Sequence, residues 1–257
     1  MRCRYREKIY ECGDYIEVNL YPVYKQAHSR RKKSKPTREV QKKLNEIYAE
    51  NKLIRICNAN FTRQDLKVEL TYDSKHHPED DEEAAASLRN YLRRLKRYRE
   101  REGLPELKYI AVTEQGKLRG RYHHHLIISG GVPVPVLDSM WKRGIVTTAP
   151  LHFNENGLAD LARYMLKRSV ASGKRWNSSK NLIHPKPRQR DGRLSQAKVA
   201  ELARDTDNAR EFEKHYPEYY FSEARAVMSD ITGGTYIYAR FYRKEAEFLC
   251  KNTRARR

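Results

Sequence analysis

Tyr122-His123-His124-His125-Leu126-Ile127-Ile128 is a run whose pattern suits an extended strand. β-Branched and aromatic residues bracket it, and Gly130-Gly131 ends it. Successive side chains on a strand alternate faces, so His123 and His125 point one way and His124 the other. Two imidazoles side by side on a rigid strand have the spacing to hold a metal ion. A hydrogen-bonded or solvated histidine cluster is the plainer alternative, and the triplet alone favours it. The segments on either side change that balance.

Residues 66–72 alternate like a half-buried strand. Pro78 and the acidic run Glu79 to Glu83 then open a helix whose later half carries Arg93, Arg94, Lys96, Arg97 and Arg99, a charge order that complements the helix dipole. Leu88, Tyr91, Leu92, Leu95 and Tyr98 form its apolar stripe and read as core. A strand is expected over 107–114, then the histidine strand, a short helix over 136–143, a strand over 145–148 and an amphipathic helix over 156–168. The order strand–helix–strand–strand–helix–strand–helix predicts an α+β fold, an antiparallel β-sheet with helices packed on it. Ahead of it lie a hairpin over 7–24 turning at Cys12-Gly13-Asp14, a basic run over 28–36, and a helix capped by Thr37 and ending near Asn51. Behind it come a basic, turn-rich stretch over 174–193, helices over 195–203 and 206–216, and strands over 219–227 and 235–243. The expected organisation is an N-terminal hairpin, basic arm and helix (1–54), a main domain (55–245) and a frayed basic tail (246–257).

The 53 Lys+Arg against 33 Asp+Glu leave a net charge of +20, which favours a polyanionic partner and points to nucleic acid. Eighteen tyrosines add surfaces on which unpaired bases stack, although most are expected to pack within the fold. Cys3, Cys12, Cys57 and Cys250 show no CxxC spacing, which argues against a zinc finger or a disulfide framework and suits a reducing compartment. With no apolar leader and no stretch long enough for a bilayer, a cytoplasmic protein without a membrane partner is expected. Ser172-Gly173-Lys174 lacks the upstream glycine of a phosphate loop, so nucleotide hydrolysis is not indicated.

Glu114 closes the strand before the histidine strand. If the two pair as a hairpin, its carboxylate reaches the His123/His125 face; a register shifted by one residue brings Gln115 instead. Two imidazoles and a carboxylate leave open positions on a divalent ion, which suits Lewis-acid work on a phosphoryl oxygen. Downstream, Tyr164 and Lys167 stand three apart on a helix and share a face. A phenol with a free pKa of about 10 needs a nearby cation or base to act as a nucleophile. Tyr5–Lys8 and Tyr72–Lys75 repeat that spacing, so it carries weight only through its position after the histidine strand.

The strand ending in Thr71-Tyr72, the His-x-His strand and the Tyr-x-x-Lys helix resemble, in order, the three motifs of the HUH endonucleases that initiate rolling-circle replication. The resemblance extends to the phage and mobile-element branch related to the filamentous-phage gene II protein. It takes in Glu114-Gln115-Gly116, Gly120-Arg121-Tyr122, Met140-Trp141-Lys142-Arg143-Gly144 and the stretch from Arg175-Trp176 to Leu182. The middle of the His-x-His motif is ordinarily a bulky apolar residue, and His124 stands there instead. The resemblance covers about residues 55–245 and implies an RRM/ferredoxin-like core. It also implies Mg²⁺ or Mn²⁺ on His123, His125 and Glu114, with Tyr164 as nucleophile and Lys167 as its helper. DNA contacts would come from Arg121, Arg163, Arg168, Lys174, Arg175, Trp176 and Lys180. The implied activity is nicking and rejoining of single-stranded DNA at an origin through a 5′-phosphotyrosine, with a host helicase and polymerase as partners. A transposase of the same chemistry and a non-catalytic nucleic-acid-binding protein are the alternatives.

Overall fold

The computed structural model describes residues 3–24, 38–116, 120–167, 175–228 and 234–244, with side chains of the first helix from residue 45 onward. The basic run over 28–36, the Thr37 cap, Arg168, Lys174 and the tail over 246–257 lie outside the described residues. In chain order the elements are β1 (Cys3–Cys12), β2 (Tyr15–Tyr24), α1 (Arg38–Asn60), β3 (Leu66–Thr71), α2 (Asp81–Arg101), β4 (Tyr109–Gln115), β5 (Tyr122–Ile128), α3 (Val134–Trp141), β6 (Val146–Pro150), α4 (Ala159–Lys167), β7 (Asn177–Ser178), β8 (Arg188–Asp191), α5 (Gln196–Arg204), α6 (Ala209–His215), β9 (Tyr219–Met228) and β10 (Thr235–Arg243). The fold is α+β, built on two antiparallel five-stranded sheets. No helix among the described residues is long and apolar enough to cross a membrane.

The chain divides into two compact units, one of residues 1–59, 153–159 and 184–257, the other of 60–152 and 160–183. The first holds the sheet β8-β1-β2-β10-β9. Ile16, Val18 and Leu20 of β2 and Ile237, Ala239 and Phe241 of β10 share its buried face, with Val199 and Leu202 of α5 and Phe212 of α6 in the same core. The N-terminal hairpin is therefore an inner part of a sheet completed by the C-terminal strands, a grouping different from the 1–54, 55–245 and 246–257 partition. Alternation tells which face of a strand is buried and not which strand lies beside it. α1 runs unbroken beyond Asn51, where the sequence suggests an end. Leu53, Ile54, Ile56 and Cys57 are all buried, and that burial outweighs the small helix penalty of isoleucine.

The second unit holds the sheet β6-β3-β5-β4-β7. β3 and β4 both run antiparallel to β5 and flank it, so they are parallel to each other and α2 is their crossover, a split β-α-β unit. Val68 and Leu70 of β3, Ala111 of β4, and Leu126 and Ile128 of β5 bury one face of the sheet. Leu88, Tyr91, Leu92 and Leu95 of α2 and Leu137 and Trp141 of α3 belong to the same core. α2 starts where its sequence asks it to: the Asp80 side chain caps it by accepting from the Glu83 N–H at 2.8 Å, and acids fill the first turn. β7 and β8 lie in the stretch read as turns; at two and four residues on sheet edges they are too short to show a period.

Arg99 departs from its dipole-complementing reading. It is 3% exposed and donates to the carbonyls of Pro105 (2.7 Å), Ser129 (3.2 Å) and Gly130 (2.7 Å), tying the end of α2 to the loop after β5. Burial lowers its pKa, with no carboxylate among these hydrogen-bond partners. Arg99→Met is expected to cost about 3 kcal/mol in denaturant unfolding, because it leaves these carbonyls without their donor.

Candidate active site

Alternation on three neighbouring strands builds the site. His123, His125 and Ile127 of β5 leave the sheet on the face away from α2, and the register sets Glu114 of β4 and Thr71 of β3 directly opposite His123. Glu69 of β3 and Val112 of β4 stand opposite His125. Gln115 lies opposite Tyr122 and so belongs to the other face; the register brings Glu114, not Gln115, to the histidines. The β4–β5 connection is held by Gly116 N–H to Arg121 O at 2.8 Å and Gly120 N–H to Gly116 O at 2.9 Å.

His125 is 2% exposed and lies between two carboxylates. Its Nε2 is 2.9 Å from Glu114 Oε2 and its Nδ1 is 3.7 Å from Glu69 Oε2. Nδ1 of His123 and Nδ1 of His125 are both buried and have no hydrogen-bond partner among the described residues. Tyr164 of α4 sets its ring edge-on to His125, 5.5 Å between centroids at 81°, and Lys67 Nζ lies 5.0 Å from the centre of the Tyr164 ring. The phenol, the imidazoles and the carboxylates therefore share one face of the second unit.

His124 turns the opposite way and is fully buried. Its Nε2 is 2.7 Å from the Tyr72 hydroxyl and its Nδ1 is 3.0 Å from Thr113 Oγ1. With Tyr72 as donor, His124 is the neutral Nδ1–H tautomer giving its proton to Thr113. Burial first, then the neighbouring imidazoles, push its pKa down to about 3, and burial lifts the Tyr72 phenol to about 12. Trp141 packs edge-on against both rings and donates its indole N–H to Thr71 O at 2.7 Å. A polar ring at a position suited to an apolar one is thus tolerated because both of its nitrogens are satisfied.

Two imidazoles and two carboxylates on one face, with two orphaned ring nitrogens, have the donor types a Mg²⁺ or Mn²⁺ site uses. Among the described residues no group of three or more such side chains stands in metal-holding geometry, and His125 Nε2 and Glu114 engage each other. The donor set fits the ion in kind, and loading it requires Glu114 to release that bond.

The other sequence-predicted residues are spread more widely. Lys167 is exposed in the last described turn of α4, and Arg163 pairs with Asp160 at 3.2 Å. Arg121 is exposed just before β5, Arg175 and Trp176 are half-buried ahead of β7, and Lys180 is exposed after it. Glu69 and Lys67 were missed by the sequence reading. Both alternate outward on the β3 strand, and only its pairing with β5 reveals that they meet His125 and Tyr164.

An α+β unit with paired histidines on its central strand, and a tyrosine from a following helix against them, has the HUH-type architecture. Residues 65–169 match the family model for the replication-associated proteins of the ORF2 and gene II type, a span running from β3 through α4 and enclosing His123, His125, Glu114 and Tyr164. Over that segment the chain is similar to the replication-associated proteins of this family. No curated protein and no solved structure matches the chain.

Proposed function

We propose that the protein is a site-specific single-stranded DNA nicking and joining enzyme that starts rolling-circle replication at an origin. The observation that carries this reading is the Tyr164 ring against His125, with His125 held by Glu114 on the strand alongside. His123, His125 and Glu114 would hold a Mg²⁺ or Mn²⁺ ion, which supplies Lewis-acid polarisation of a phosphoryl oxygen. The phenolic oxygen of Tyr164 attacks the scissile phosphorus, forming a Tyr–O–P bond on the 5′ side. The P–O3′ bond breaks, and the departing 3′ oxygen ends with the phenolic proton. Lys67 over the ring and Lys167 one turn along α4 offer ammonium groups to stabilise the phenolate. Attack by a second 3′-hydroxyl reverses the chemistry and rejoins strands without an external energy source. Arg121, Arg163, Arg168, Lys174, Arg175, Trp176 and Lys180 are the proposed DNA contacts, and a helicase and a polymerase of the host are the proposed partners in the cytoplasm.

The test is to incubate the full chain with origin-derived single-stranded DNA and Mn²⁺. A denaturation-resistant adduct is expected, absent when the metal is chelated, with the nucleotide mapped to the Tyr164 peptide by mass spectrometry. No cleavage under any divalent ion would sink the reading.

Glu69 adds a separate expectation. Glu69 Oε2 stands 3.7 Å from His125 Nδ1, and a hydrogen bond closed between them on metal binding would fix the tautomer and leave the other nitrogen for the ion. Glu69→Gln is expected to weaken Mn²⁺ binding about tenfold or more, read as free Mn²⁺ by electron paramagnetic resonance without DNA. An unchanged affinity would make Glu69 a bystander.

A further inference from the structure

α2 carries cations that the histidine face does not use. Its inner side is apolar core, and Arg99 is spent on backbone carbonyls. Arg89, Arg93, Lys96 and Arg97 are all exposed. At 3.6 residues per turn they fall within an arc of about 100° and span about 12 Å along the axis. Arg101 pairs with Glu102, whereas none of these four has an ion-pair partner among the described residues; Arg93 meets only the neutral Asn90 side chain. The acids of α2 sit at its ends, Asp81, Glu82 and Glu83 in the first turn and Glu100 near the last. Arg89/Arg93 and Arg93/Arg97 stand at i,i+4, where like charges repel and an interleaved acid would have relieved them.

We propose that this outer face of α2 is a docking surface for the phosphate backbone of duplex DNA. A row of guanidinium forks matches repeated phosphates and recovers, on binding, the repulsion it carries when free. A surface for a single strand would interleave aromatic rings for base stacking, and this one has none. Tyr91 is buried and Tyr98 packs against the core. The face is also on the opposite side of the sheet from His123, His125 and Tyr164, so a strand lying against the tyrosine does not pass over it. The similarity of residues 65–169, which include this face, to replication-associated proteins favours DNA as the polyanion. The inference does not depend on the tyrosine chemistry.

The test uses the full chain with Arg89→Ala, Arg93→Ala and Arg97→Ala combined, beside the matching triple change to lysine. Alanine favours helix at exposed positions, so the fold is expected to be kept. Affinity for a fully paired 30-base-pair fragment (about three turns) is followed by fluorescence anisotropy across a salt series. The slope of log affinity against log salt is expected to fall by about 2.7 in the alanine variant, about 0.9 for each phosphate no longer neutralised, and to stay near the parent value in the lysine variant. Affinity for an oligothymidine is expected to stay within about twofold. An unchanged duplex slope overturns the proposal. An equal loss on the oligothymidine also overturns it, because the face would then serve single strands.

Discussion

Tyr164→Phe is expected to bind single-stranded DNA as the parent protein does and to form no denaturation-resistant adduct, with cleavage reduced at least about a thousandfold. The substitution is sharp because of how the ring is held. Tyr164 packs edge-on to His125 and under the Lys67 ammonium, and phenylalanine preserves the edge contact while deleting only the hydroxyl. A melting temperature close to the parent's then attributes any loss to the missing oxygen. Gel electrophoresis under denaturing conditions reads the adduct, and labelled oligonucleotide reads cleavage. Full adduct formation in the variant would remove Tyr164 as the nucleophile. Cleavage without an adduct would point to direct attack by water on the same face.

How much of this was legible beforehand differs by element. The second unit was largely readable because α2 is long and strongly periodic and β3 alternates, so both announce their buried face, while β5 is marked out by its β-branched and aromatic residues and the glycines that end it. The same alternation set His123 and His125 together and His124 apart, and the structure bears that out. The hairpin register, open between Glu114 and Gln115 in the sequence, needed the pairing with β5 to settle. Glu69 and Lys67 stayed hidden because their importance comes from β3 lying next to β5, although a whole helix and a further strand separate the two in sequence. The joining of β2 to β10 was hidden for the same reason at a larger separation. α1 was expected to end near Asn51, and what carries it on to Asn60 is the burial of Leu53, Ile54, Ile56 and Cys57, which the linear pattern does not show.

Removing His125 separates chemistry from affinity. His125→Ala takes away the imidazole that Glu114 grips at 2.9 Å and that Glu69 faces at 3.7 Å. Under the proposed mechanism it deletes one metal donor and leaves two carboxylates facing the gap, so Mn²⁺ binding and cleavage are both expected to fall at least about a hundredfold, since the ion's Lewis acidity is worth several kcal/mol. Backbone affinity should hardly change. It comes from counterion release over a basic surface built from the chain's many Lys and Arg side chains. The salt slope for single-stranded DNA is therefore expected to match the parent's. His125→Asn, smaller in its change of volume and still able to donate to Glu114, guards against mere collapse of the buried position and is expected to bind DNA and fail to cleave. Cleavage at the parent rate in either variant would remove the metal role from this strand. A parallel loss of DNA affinity would mean instead that the histidine face is principally a binding surface, and the non-catalytic reading of the charge would then be the better one.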